Sequence, residues 1–150
     1  MWGDRQSDRD GSGAPCGPSR IVAFKPFDLR RFVTVPARDL GPILAAVTNA
    51  VVMLHRTHYG KGPTRSKSYL FDDIAICVMN DVFTTVERTL IDAGESSRVR
   101  STRLAFQAAM EDEFKQAVGE ALGRTVKAVT SQVLTSPEVA IYVFVLEPES

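Results

Sequence analysis

The 150-residue chain has only two cysteines, Cys16 in a polar stretch and Cys77 inside an apolar run, and neither has a second cysteine at metal-ligand spacing. A disulfide framework and a cysteine-built zinc site are thereby excluded, and a reducing cytoplasm fits best. Neither sign of charge is in excess: eighteen basic residues balance eighteen acidic ones, so no global field draws the chain to nucleic acid or anionic lipid, and such binding would need a local patch. The N-terminal MWGDRQSDRD lacks an apolar signal core, and the most apolar stretch, Ile43 to Leu54, is interrupted by Thr48 and Asn49. The sequence therefore points to neither export nor direct membrane insertion. No nucleophile elbow and no serine, histidine and aspartate constellation can be traced.

What is present is one domain's worth of chain with ordinary globular composition. Residues 1–20 are rich in Gly, Ser, Asp, Arg and Pro, and residues 21–37 mix Ile21, Phe24, Phe27, Leu29, Phe32 and Val35 with two prolines. We expect residues 1–37 to form a disordered or loosely packed extension and residues 38–148 to form one α+β domain. Asp39 suits an N-cap, Pro42 suits a first turn, and Leu40, Ile43, Leu44, Val47, Val51 and Leu54 follow helical spacing up to a stop at Gly60. SKSYLF and IAICVM flank Asp72 and Asp73 as a hairpin. FTTVERTLIDAG carries a capping box, Thr84 with Glu87, and opens a short helix. A longer helix follows from about Ser97, with Val99, Phe106, Met110, Phe114 and Val118 on one face and Gly123 at its end. RTVKAVTSQVL and VAIYVFVLEP flank Ser136 and Pro137 as a second hairpin. The expectation is a four-stranded antiparallel sheet from two hairpins, with about three helices packed mainly on one face.

YGKGPTRSK, residues 59–67, looks like a phosphate cradle but is not spelled as one, because Lys61 is followed by Gly62. Its polarity is also reversed: phosphate binds where a helix begins, whereas Gly60, Gly62 and Pro63 follow a helix end. Lys61, Arg65 and Lys67 are read as complements to that negative helix end, and no cofactor is expected. His55 and His58 lie in H-x-x-H with no glutamate after the first histidine and no third ligand, so we expect two partly exposed histidines and no metal. Glu87 is read as a cap, and Glu111, Asp112 and Glu113 as a solvated helix face; no catalytic residue is assigned. In the last strand Val139, Ile141, Val143 and Val145 alternate with Ala140, Tyr142, Phe144 and Leu146. Both faces of the sheet are apolar, so one face needs cover beyond three helices: residues 21–35, a second copy or another partner.

HYGKGPTRSK, FTTVERTLIDAG, Arg103 with Phe106, LGRTVKAV and VFVLEP, in that order over about residues 40–148, resemble the MpsC-like family, named for a component of a bacterial sodium-translocating, membrane-potential-generating system. The resemblance implies a non-enzymatic cytoplasmic accessory or interaction protein, peripheral to the inner membrane through membrane transporter subunits that move sodium or inorganic carbon. Phe83 and Thr85 stand where the family usually has Leu and Pro, and the resemblance carries over no catalytic residue. A homodimer or a heteromeric protein partner is expected, with no nucleic acid. Candidate contacts are Arg56, Lys61, Arg65, Lys67, Tyr142 and Phe144, and the structural positions are Gly60, Gly62, Pro63, Thr84, Glu87 and Gly123. The alternative is a nucleic-acid- or anion-binding regulator that uses the basic residues at 56–67.

Overall fold

The computed structural model describes residues 40–149. The expected extension, residues 1–37, and the expected N-cap Asp39 lie outside the described residues. Helix α1 (Leu40–Tyr59) leads into strands β1 (Arg65–Phe71) and β2 (Ile74–Asn80); helices α2 (Thr85–Asp92) and α3 (Ser96–Leu122) follow, then strands β3 (Val126–Thr135) and β4 (Glu138–Leu146). All neighbours pair antiparallel in the order β1-β2-β4-β3, so each hairpin places its second strand at the centre. The fold is α+β, with three helices and one four-stranded antiparallel sheet.

Local chemistry sets the element ends. Gly60 (φ 73°) and Gly123 (φ 66°) adopt the left-handed conformation that costs glycine nothing, and each closes a helix by donating its N–H back to Arg56 and Gly119 respectively. Asp72 (φ 52°) takes the same region in the β1–β2 turn, which aspartate tolerates better than most residues. Thr84 and Glu87 form both bonds of the capping box at the start of α2. A register shift between Val126 and Ala128 leaves Lys127 without a cross-strand partner at the start of β3.

Period-two alternation assigns each strand residue to one of two sheet faces, and the helices cover one of them. Ala75, Cys77 and Met79 of β2 and Ala140, Tyr142, Phe144 and Leu146 of β4 turn toward the helices and are buried. They meet Val47 and Val51 of α1 and Phe114 and Val118 of α3, and the Phe114 and Tyr142 rings stack with centroids 5.1 Å apart. Burial pushes the Tyr142 hydroxyl well above its usual pKa, so the ring stays neutral in this core.

Candidate functional site

Arg103, in the first half of α3, gathers three of the sequence motifs around itself: H-x-x-H through His55, YGKGPTRSK through Tyr59, and FTTVERTLIDAG through Phe83 and Glu87. Only 3% exposed, it grips Glu87 with both arms of the fork, Nε to Oε1 at 2.6 Å and Nη2 to Oε2 at 2.8 Å. Nη2 also donates to the Val82 carbonyl at 2.9 Å, and Nη1 lies 3.2 Å from His55 Nε2. The guanidinium sits between aromatic faces, 4.3 Å from the Tyr59 ring centre and 4.9 Å from that of Phe83. Lys61 belongs to the same knot: its Nζ donates to the Phe83 carbonyl at 2.9 Å, and its own carbonyl lies 3.0 Å from His55 Nδ1.

The tautomer of His55 follows from its partners. A carbonyl can only accept, so Nδ1 carries the proton toward Lys61, and Nε2 is left to accept from Arg103. Burial and the adjacent Arg103 charge lower the imidazole pKa from 6.5 to about 4, although the Lys61 carbonyl bond pulls the other way. Burial alone would raise the Glu87 pKa; the bonds from Arg103 and Thr84 outweigh it and hold the carboxyl below the ordinary range. The polar groups of this cluster are thus occupied by one another. Its geometry is that of a keystone joining α1, α2, α3 and the loop after β2.

Several sequence expectations change here. His55 is buried and faces the interior, not partly exposed, because it extends the Val47, Val51 stripe by one more turn. His58 lies half-exposed on another side of α1, 3.1 Å from Glu113 of α3. No group of three or more metal-ligating side chains occurs among the described residues. Glu87 caps α2 as the sequence predicts, and it is also the partner of Arg103, a contact across sixteen residues that local reading missed. Lys61 does not complement the end of α1; it reaches across to Phe83.

The remaining candidates separate. Arg56 is exposed and its guanidinium lies against Gly62, where a Cβ would come within 2.8 Å of Nε, a contact that the flexible arginine could relieve by moving. Pro63 is half-buried in the loop that follows. Arg65 and Lys67 are exposed on β1, with Lys67 Nζ 5.1 Å from the Tyr69 ring centre. Tyr142 and Phe144 lie on the helix-covered face and are buried, so they belong to the core and not to an accessible contact surface. Arg124, the base of the LGRTVKAV motif, clamps a second corner, donating to the carbonyls of Asp72 (2.8 Å) and Glu147 (2.7 Å) and pairing with Asp73, contacts that the motif alone does not reveal.

A cleft of about 270 Å³ between α3 and β3 is lined by Arg100, Arg103, Leu104, Ser131, Gln132 and Val133. That lining contains no carboxylate, histidine or cysteine. The larger accessible feature is the sheet face away from the helices. Its edge positions Tyr69, Phe71, Ile74 and Leu134 are among the most exposed large apolar side chains of the described residues, and Ile76, Val78, Ile141 and Val143 fill the centre.

The family model for the Na+-translocating membrane potential-generating system (MpsC) matches residues 41–148. The chain belongs to the MpsC family. Its matched span covers all seven elements of the described fold except the first residue of α1, so the Arg103 keystone, the Arg124 clamp and the open sheet face all lie within MpsC territory. No curated protein and no solved structure matches the chain. No helix among the described residues is long and apolar enough to cross a membrane.

Proposed function

We propose that this MpsC member is a non-enzymatic accessory component of a membrane system that generates potential by moving sodium or inorganic carbon, and that it works by protein contact. It acts from the cytoplasm, peripheral to the inner membrane through its partners. The observation that carries this reading is the helix-free sheet face, whose central strands offer Ile76, Val78, Ile141 and Val143 on the side the helices do not reach. Contiguous apolar surface of that kind is seldom left to water by a protein that acts alone. The titratable groups of the keystone support the same reading, because each is already engaged with another and none stands in the cleft as a general base.

The test compares cells that contain the membrane subunits of the system with cells from which those subunits are deleted. The tagged chain is expected to sediment with membranes only in the first, and its removal is expected to lower sodium-dependent membrane potential read by a voltage-sensitive dye. Equal sedimentation in both strains, or an unchanged potential, overturns the proposal. Salt-sensitive retention on RNA or heparin at physiological ionic strength would favour the anion-binding alternative.

A further inference from the structure

The cross-strand registers turn the helix-free face into a grid of four rows. From one end of the strands to the other these run Arg65, Asn80, Val139, Leu134; then Lys67, Val78, Ile141, Gln132; then Tyr69, Ile76, Val143, Thr130; then Phe71, Ile74, Val145, Ala128. Three properties of the grid matter. No strand position on it is acidic. Its two cations stand together at one edge, on β1. Bulk is also unequal, with aromatic rings on β1 and the small Thr130 and Ala128 at the matching rows of β3.

We propose that this face is occupied by a second copy of the chain, related by a two-fold axis that runs roughly along the strands, so that β1 of each protomer lies over β3 of the other and β2 over β4. A two-fold interface requires a patch complementary to itself, and in this orientation the grid sets the rings of each β1 over the small side chains of the other copy's β3. Phe71 then faces Ala128 of the other copy and Tyr69 faces Thr130, ring over small side chain, which keeps two sheets parallel at the usual spacing of about 10 Å. The centre becomes β-branched against β-branched, Ile76 over Val143 and Val78 over Ile141. The cations are sent to opposite edges, with Lys67 over Gln132. A two-fold across the strands would instead put β1 on β1 with the rows reversed, gathering four cations and all four rings at one edge and leaving the other edge, β3 on β3, with no ring.

The area suffices for a specific contact. Strands about 4.8 Å apart and about 3.3 Å per residue give each face roughly 400–500 Å², so closing two of them buries roughly 800–1,000 Å² in all, which reaches the threshold for a biological contact and fits a dimer that forms at tens of micromolar. The inference rests on reading the chain as part of an assembly and names its first partner: the dimer is the unit that meets the membrane subunits.

The test uses the full chain carrying Cys16→Ser, followed by sedimentation equilibrium and by a short bis-maleimide, since sheets at that spacing are too far apart for a direct disulfide. A dimer is expected at tens of micromolar. Ile141→Glu should weaken it about 100-fold or more, by burying an unpaired carboxylate. Thr130→Arg, at an exposed edge position, repeats the test should the first variant fold poorly. Lys67→Cys mixed with Gln132→Cys should cross-link, and neither should cross-link alone. A monomeric full chain overturns the proposal, as does a dimer unaffected by the variants; the former is also the outcome if residues 21–35 cover the face. Cross-linking of Lys67→Cys with itself overturns the orientation. Membrane sedimentation that persists in a monomeric chain rejects the dimer and leaves the accessory role standing, whereas an intact dimer with no membrane dependence does the reverse.

Discussion

The two faces of one sheet are built from the same kind of strand and end in different states. On the helix side, Ala75, Cys77, Met79 and Ala140 are small or flexible and leave room for Phe144, Tyr142 and the helices above them, and all are buried. On the other side the β-branched Ile76 and Val78 of β2 and Ile141 and Val143 of β4 are only partly buried. The difference teaches that apolar content alone does not choose the packed face: on the helix side the small Ala75 and Cys77 pair with Phe144 and Tyr142 and leave those rings room beneath the helices. The covered face is also locked by a polar knot, Arg103 with Glu87 and His55, whereas no side-chain hydrogen bond fixes anything to the open face among the described residues.

The contrast breaks most sharply at that knot. Arg103→Ala should cost about 3–5 kcal/mol, since it leaves the Glu87 carboxylate half-buried without its partner and opens space between Tyr59 and Phe83. Urea unfolding monitored by circular dichroism measures it. Phe144→Ala on the covered face should cost a similar ~3–5 kcal/mol. Val143→Ala, one residue away on the open face, should cost under about 1 kcal/mol in the dilute monomer. Equal losses at residues 143 and 144 would contradict the division of the sheet into a packed and an open face.

The pH response separates the faces again. The folded-state pKa of His55, about 4, lies below its unfolded value of 6.5. Its neutral form is favoured by folding, so the stability linked to it is complete above pH 6.5 and is lost as pH falls toward 4. The loss should reach roughly 2 kcal/mol by pH 5. Denaturation midpoints between pH 7 and pH 5 test this, and His55→Gln should flatten the slope. The lowered pKa of Glu87 adds a loss of the same sign at still lower pH.

Much of this was legible in the sequence, and what was not has a common cause. The helix and strand order, the glycine stops and the capping box all depend on residues within four positions of each other, and periodicity or a short motif reports them. His55 and Arg103 meet across 48 residues, and although the resemblance singles out Arg103, no local pattern in the sequence tells its partners. The spacing of His55, four residues after Val51 and eight after Val47, was the available sign that it faces inward. The covered side of β4 could not be read from alternation, since both sets are apolar. Only the small partners Ala75 and Cys77 on the neighbouring strand mark the side where Tyr142 and Phe144 find room.

Lys61 tests how far the knot extends toward the loop. The sequence suggests a cation near a helix end, removable without consequence. Its half-buried ammonium instead donates to the Phe83 carbonyl, so Lys61→Ala should cost about 1–2 kcal/mol. Lys67→Ala on the open face should change monomer stability by under about 0.5 kcal/mol. Thermal melts of the two variants compare them directly.

The weakest bond within the knot concerns Thr84, at the rim of the same cluster. Its hydroxyl accepts from the Glu87 amide at 3.3 Å, a long bond, while the Thr84 N–H gives the Glu87 carboxylate a shorter one at 2.8 Å. Thr84→Ala removes only the first, so the loss should fall near the lower end of the usual N-cap range, about 0.5–1 kcal/mol. Glu87→Ala removes the second bond and also strips Arg103 of its carboxylate, so it should cost several-fold more than a cap alone. Chemical denaturation of both variants gives the ratio. Equal losses would mean that Glu87 acts only as a helix cap and that the buried pair contributes nothing to holding the covered face together.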